Sequence, residues 1–364
     1  MKIIYFIDHL RPDGAQFVLW QLVDGLSKRG HNQIVICLND SWDDQLLEKL
    51  RKTGTQVRII GKVMLACGIG LALIYYLLRK ERPDAVVTML FVSDVIGRTF
   101  SHIAVVKRII TSIQTRDEFY NRVQRKLVRF SMPWADVIQL CSSNLRDFVI
   151  TEEGATSERI IIIPHSIRVS DYAISFENTN LRHTLGLSDS YSLIGSLGRL
   201  THQKGYDVLI KAMHEIADSK VDLVLAGVGE EVSRLKTQST ELGLEKRIHF
   251  CGYHRDVPVF LNSLDLYVQP SRYEGMPLAV LQAMAAGCPI VANAVDGICE
   301  LIEDGVHGWL VPPENPKLLS EAIIEALNNK EEAKKRGIAA RERARTHFDL
   351  DDMITAWEKL LAGS

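Results

Sequence analysis

The feature that most constrains this 364-residue chain is the alternation of short β-rich runs with amphipathic helical stretches along nearly its whole length. In the first half, Ile3 to Ile7, Gln33 to Leu38, Val57 to Ile60, Ala85 to Leu90, Arg108 to Ile113, Val137 to Cys141 and Arg159 to Pro164 read as buried strands. Runs this apolar, without polar alternation, suit strands covered on both faces, and such strands belong to parallel sheets flanked by helices. The clearest helix between them is Ala15 to Arg29, stopped by Gly30. Residues 165 to 190 are polar and mixed and break the rhythm. It resumes at Ser192 to Gly198, Asp222 to Gly227, Arg247 to Gly252, Leu264 to Ser271, Pro289 to Ala294 and Gly308 to Pro312. The expectation is an α/β chain of two Rossmann-like, doubly wound domains, residues 1–170 and 171–349, facing across a cleft. In such sheets ligands gather at the carboxyl ends of the strands.

Length agrees with two domains rather than one. Apolar residues at 46% and charged residues at 24% are ordinary globular values. The net charge of −2 hides an asymmetry, because residues 1–170 carry 23 Lys and Arg against 17 Asp and Glu, and the remainder carries 20 against 28. Part of the basic surplus forms a stripe, Arg122, Arg125, Lys126 and Arg129, beside Phe119, Tyr120, Val123, Leu127 and Val128. Such a helix suits either an anionic membrane surface or a solvated face of a packed helix. Cys37, Cys67, Cys141, Cys251, Cys288 and Cys299 are scattered with no CxxC pair and read as reduced core thiols of a cytoplasmic protein. The longest apolar run, Val63 to Leu78, holds two glycines and is shorter than the ~20 residues a spanning helix needs. It reads as an internal helix packed on a sheet, with a membrane-dipping hairpin as the alternative. MKIIYFIDHL is too soon interrupted by charge for a secretory signal.

Function is most legible between Pro270 and Ala292, PSRYEGMPLAVLQAMAAGCPIVA. The segment joins a strand end, an exposed Glu274, a helix that starts at Pro277 and a stop at Gly287. The free amides of Gly275 and Met276 then lie at the positive end of a helix dipole, a place for phosphate. Glu274 and Gln282, on either side of Pro277 and Leu278, are placed to meet a sugar and a ribose. This stretch resembles the donor-binding signature of retaining glycosyltransferases of family 4, which have the two-domain GT-B fold. The family pattern is Glu, seven residues, Glu; here the second position is Gln282, whose amide hydrogen-bonds a ribose diol without bringing a charge.

Other segments extend the resemblance. GRLTHQKGYDVLIKA, from Gly198, puts Arg199 and Lys204 after a strand, and these match the family's Arg and Lys-Gly donor motif. Two cations there neutralise a diphosphate and steady the charge that builds as the sugar leaves. VDLVLAGVGEE turns at Gly227 and Gly229, and FCGYHRDV carries Tyr253; in the family both lie near the nucleotide and base, although a GxG turn into a helix is explained by packing alone. Glu300, in VDGICELIEDG, reads either as a helix-start acid or as a ligand. DHLRPDGAQFVL resembles the family's Gly-Gly-Ala-Glu loop, with Asp13 and Gln16 as replacements; Gly14 and Ala15 begin a helix whose amides suit the donor phosphate, and a plain β-to-α turn would look the same. Where many members carry a histidine after the fifth strand, this chain has Gln114, Thr115 and Arg116. Gln114 then suits a sugar hydroxyl and Arg116 an anionic acceptor, while His9, His102 and His165 read as structural. The resembled fold also returns its last helix to the first domain, about residues 350–364, with Asp352 to Leu361 as the candidate.

The resemblance implies a retaining, metal-independent hexosyltransferase. It would move a hexose or N-acetylhexosamine from a nucleotide diphosphate sugar, UDP-sugar favoured over GDP-sugar, to a saccharide acceptor. A lipid-linked acceptor is expected, in cell-surface polysaccharide or lipopolysaccharide assembly at the inner face of the plasma membrane. No cofactor and no nucleic-acid partner are expected. The alternative is a non-catalytic nucleotide-sugar-binding or regulatory subunit of the same fold, suggested by Gln114 and Gln282 together.

Overall fold

A computed structural model describes residues 1–116, 120–173, 181–187, 190–217 and 220–363. Among the described residues there are thirteen strands: β1 (Lys2–Ile7), β2 (Asn32–Cys37), β3 (Gln56–Ile59), β4 (Ala85–Met89), β5 (Ile109–Ile113), β6 (Val137–Leu140), β7 (Ile160–Ile162), β8 (Ser192–Leu197), β9 (Val221–Ala226), β10 (Ile248–Gly252), β11 (Leu266–Gln269), β12 (Ile290–Asn293) and β13 (Trp309–Val311). They form two wholly parallel sheets, in the orders β3-β2-β1-β4-β5-β6-β7 and β10-β9-β8-β11-β12-β13. Each order reverses beside its first strand, at β1/β4 and at β8/β11. Those are the switch points where loops from neighbouring strands diverge and leave room for a ligand.

Most of the apolar runs are explained by burial on two faces; Val57 to Ile60 and Arg159 to Pro164, expected to be buried, form the edge strands β3 and β7 and are partly exposed, because an edge strand has a neighbour on one side only. In β1, Ile3, Tyr5 and Ile7 pack with the helices Gly14–Lys28, Asp44–Lys52 and Leu350–Ala362, whereas Ile4 and Phe6 face Ile74 and Leu78 of the helix Ile69–Glu81. The chain divides into Met1–His165 with Leu350–Ser364, and Ser166–Asp349. The boundary expected at 170/171 therefore falls after His165, because Ile167 already pairs with Asp349 of the second unit. In the first unit Trp357 is fully buried, Ile354 fills the space above Gly25, and Glu358 holds Arg29 at 2.8 Å and His31 at 2.7 Å.

The apolar run Val63 to Leu78 is not one helix. Gly68 adopts a left-handed conformation (φ 78°) and separates Lys62–Ala66 from Ile69–Glu81. Gly70, Ile74 and Leu78 face the core, but Val63 is 79% exposed and Ile69, Tyr75 and Tyr76 also face outward. Among the described residues no helix is long and apolar enough to cross a membrane. The thiols also divide. Burial pushes Cys37 up to about 11 and Cys288 up to about 12, which leaves them inert, whereas Cys67 and Cys299 are exposed rather than in the core.

Candidate active site

At the β8/β11 switch point two loops close on one another. After β8 the chain makes a short 3-10 turn, His202–Lys204, and enters the helix Tyr206–Glu215 through Gly205 (φ 66°). Only glycine fits there, since a Cβ would lie 2.1 Å from the Pro270 carbonyl oxygen of the loop after β11. Polar contacts join the same loops. Arg272 N donates to the Gln203 carbonyl at 2.9 Å, Gln203 Nε2 to the Tyr273 carbonyl at 3.1 Å, and Arg272 Nη1 to the His202 carbonyl at 2.7 Å. The Arg272 fork also grips both Asp207 oxygens, at 2.8 and 2.9 Å. Burial pushes the Asp207 carboxyl up, but Arg272 outweighs it and holds the group below its usual range.

This closure brings Lys204 and Glu274, 70 residues apart, into an ion pair of 2.6 Å. Glu274 is 5% exposed rather than open, and Ser271 Oγ (2.6 Å) and Gln269 Nε2 (3.2 Å) also donate to its Oε1. Tyr267 in turn donates to Gln269, and Asn293 Nδ2 holds the Pro270 and Ser271 carbonyls at 2.8 and 3.1 Å. Burying a carboxylate is costly unless donors such as these satisfy its oxygens. Ser271 and Gln269 were not singled out in the sequence; the signal available was two polar residues at the end of an otherwise apolar strand. Arg199 lies on the same loop as Lys204, on its exposed side.

The remaining donor-side residues separate into two groups. Gly275 and Met276 sit between Glu274 and the helix Leu278–Ala286, and the fit there is tight: a Cβ on Gly297 would lie 1.6 Å from the Gly275 carbonyl oxygen. Pro277 is the N-cap and not the first helical residue, because its ψ of 113° is extended; Leu278 opens the helix and Gly287 (φ 70°) ends it. Tyr253 is exposed beside Gly252, with Arg255 5.9 Å over its ring. The other group is taken up by packing. A Cβ on Gly227 would lie 1.8 Å from the Gly198 carbonyl oxygen, and one on Gly229 2.2 Å from that of Leu200. These glycines let the loops after β8 and β9 touch. Gln282 is buried and its side chain hydrogen-bonds the hydroxyl of Tyr172, whose own burial raises the phenol's pKa. Glu300 falls near the end, not the start, of the helix Asp296–Leu301, and Arg343 caps its carbonyl at 3.0 Å.

In the first unit, Gly14 opens the helix Gly14–Lys28 with Ala15 next, but the Asp13 carboxylate already accepts from Gly14 N at 2.8 Å. Gln16 is buried and bonded to His9. Gln114 lines a small pocket at the ends of β4 and β5 with Leu90, Asp94, Ser112, Thr115 and Tyr120, and its carboxamide touches His165. Arg116 Nη2 donates to the Asn144 carbonyl at 3.3 Å. In the helix Arg122–Ser131 only Val128 and Ser131 are buried, while Arg125 turns to Glu152; Phe119 lies outside the described residues.

Comparison with known proteins follows the same division. A family model described as Glycosyltransferase Family 4 matches residues 12–171, and one described as Glycosyl transferases group 1 matches residues 177–343. The chain is 31% identical over 197 residues to the lipopolysaccharide core biosynthesis mannosyltransferase LpsB of Rhizobium meliloti, covering 50% of this chain and 56% of that protein. It is 26% identical over 271 residues to the UDP-Gal:alpha-D-GlcNAc-diphosphoundecaprenol alpha-1,3-galactosyltransferase of Escherichia coli, covering 71% and 70%. At 31% identity the chain thus spans about half the length of its curated relatives. In solved structures it is similar in fold to Anabaena HepE in complex with UDP and glucose, with a TM-score of 0.90 at 22% identity over the whole of both chains.

Proposed function

We propose that this chain, which belongs to the glycosyltransferases of family 4 and has their GT-B fold, moves a hexose or N-acetylhexosamine from a nucleotide diphosphate sugar to a saccharide acceptor. The observation that carries the reading is the Lys204–Glu274 pair, fixed by Ser271 and Gln269 at the β8/β11 switch point. Glu274 would hold donor sugar hydroxyls. Lys204 would shift part of its charge to the diphosphate, and Arg199 would complete its neutralisation. With two cations on the leaving group, substitution on one face of the sugar needs no metal. The bond from the anomeric carbon to the departing phosphate oxygen breaks as the acceptor oxygen bonds to that carbon. The acceptor proton passes to the departing phosphate, and the configuration is retained.

A UDP-sugar is the favoured donor, supported by the E. coli relative named for UDP-galactose and by the UDP complex of similar fold. The same relative is named for a diphosphoundecaprenol-linked acceptor, which supports a lipid-linked saccharide here. The first unit offers a surface for such a substrate. Its helices Ile69–Glu81, Phe91–Ile103 and Arg122–Ser131 pack side by side. They and their flanks expose Val63, Ile69, Tyr76, Val105, Val123 and Phe130 among Arg79, Lys80, Lys107, Arg122 and Lys126. Apolar side chains interleaved with cations suit the headgroup region of an anionic membrane.

The test is a thermal-shift comparison of UDP, GDP and their sugar conjugates on the parent, Lys204→Ala and Glu274→Ala proteins, followed by turnover with EDTA present. A ligand at 100 times its Kd stabilises the folded state by about 2.7 kcal/mol. The expected result is a shift with UDP-sugars that both variants lose, and a fall in kcat of roughly 10²–10³ for Lys204→Ala. Nucleotide binding without transfer or hydrolysis would favour the non-catalytic subunit instead.

A further inference from the structure

Gln114 belongs to an unbroken run of hydrogen bonds that crosses three strands at their carboxyl ends. His165 Nε2 meets Gln114 Oε1, Gln114 Nε2 meets Ser112 Oγ at 2.6 Å, Ser112 Oγ meets Gln139 Oε1, and Gln139 Nε2 meets the Ile163 carbonyl at 2.8 Å. Ser112, Gln139 and His165 are buried. The direction of every bond follows from the last one. A carbonyl oxygen only accepts, so Gln139 must turn its NH2 to Ile163 and its oxygen to Ser112. The Ser112 hydroxyl then spends its single proton on Gln139 and can only accept from Gln114. Gln114 accordingly turns its NH2 to Ser112 and its oxygen to His165. That oxygen cannot donate, so the His165 proton sits on Nε2.

Glutamine has three rotatable side-chain bonds, and in this run both ends of its carboxamide are tied. Uniform bond direction also lets each link polarise the next. The carboxamide has a second N–H besides the one given to Ser112, and Gln114 is among the residues that line the small pocket at the ends of β4 and β5. We propose that His165 is a positioning residue for transfer, fixing the Gln114 carboxamide so that this second N–H meets a substrate sugar hydroxyl. The inference rests on the acceptor-side reading of Gln114. His165 follows β7, 51 residues beyond Gln114 and two strands away in the sheet, so the fold supplies a histidine to the end of β5 from outside that strand.

The experiment measures transfer by the full chain for His165→Leu, His165→Asn, Gln114→Ala and the double variant His165→Leu with Gln114→Ala. Imidazole nitrogen NMR of the parent, at a pH where the ring is neutral, accompanies it. A misplaced group costs about tenfold or more. The expected pattern is a tenfold fall in kcat for His165→Leu with donor KM within about twofold. Asparagine, which keeps an N–H donor, should recover most of the loss, and His165→Leu should add less than about twofold when Gln114 is already alanine. The NMR signal should show the proton on Nε2. Equal costs of His165→Leu in both backgrounds would make the histidine merely structural and overturn the proposal. A proton on Nδ1 would overturn the hold on Gln114 and leave the reading of Gln114 standing, whereas a Gln114→Ala protein that turns over like the parent would overturn both.

Discussion

A carboxylate that takes three donors on one oxygen, as Glu274 does, is set before any ligand arrives. Preorganisation of that kind avoids the cost of ordering a charged group during binding. Lys204 and Glu274 were legible because each stands in a distinctive run with its own glycine or helix start. Gln269 and Ser271 were not, since a Gln and a Ser at a strand end look like ordinary polar punctuation. Gln282 illustrates the opposite problem. Helical spacing put it in the right element, but its bond to Tyr172 depends on a contact 110 residues away. Glycines are similarly opaque, as their role lies in what a Cβ would strike. At Gly297 that is the Gly275 carbonyl, 1.6 Å away, beside an Asp296 already at φ 29°. Gly297→Ala must push the Glu274–Met276 segment aside. The expected outcome is a loss of about 1–3 kcal/mol in urea unfolding. Nucleotide-sugar affinity measured by calorimetry should fall further than that of Gly30→Ala, which strains a backbone at φ 81° but leaves its Cβ with nothing within 4 Å.

At the scale of elements, most strands were readable because they are covered on two faces, whereas β3 and β7 at the edge of the first sheet are partly exposed. Breaks were harder to see. Gly68 divides an apolar run that composition alone could not interrupt, because only a left-handed backbone turns the following helix. What no local pattern reveals is the fastening of the loops after β8 and β11, where Arg272 and Asp207 are central. Asp207 is held below its usual range by that pairing against the opposing effect of burial, while Asp207 raises Arg272. A depressed carboxyl contributes stability that is complete above its unfolded value, ~3.9, and is lost as pH falls through the lower folded value. Asp207→Asn should therefore cost about 1.5–3 kcal/mol near neutral pH, as charged hydrogen bonds do. The gap from the parent should narrow as pH falls below about 4, followed by urea midpoints at successive pH values. A gap that is constant with pH would show that the pair is not titrating.

Over the whole molecule the charge is unevenly divided, with the surplus of Lys and Arg in residues 1–170 and the surplus of Asp and Glu in the rest. Composition made that division visible, but not which basic groups remain available. Arg125 is engaged by Glu152, and Arg129 reaches the Thr151 carbonyl, so the four-residue stripe is reduced as a surface feature. The apolar partners compensate: Phe130 is 69% exposed, and Val123 and Leu127 stand out from the same helix. A surface built this way should bind through two additive contributions. Each cation near an anionic bilayer is worth about 1 kcal/mol and is screened by salt, whereas an inserted side chain is not screened. Flotation with vesicles containing anionic lipid should thus carry the parent protein at low salt and release much of it at high salt. Arg122→Gln with Lys126→Gln should weaken flotation chiefly at low salt, by roughly 2 kcal/mol or about 30-fold in affinity. Phe130→Ser should weaken it by a similar amount at both salt concentrations. If neither pair of changes alters flotation while transfer to a water-soluble acceptor persists, the exposed apolar face has another occupant and the acceptor need not be lipid-linked.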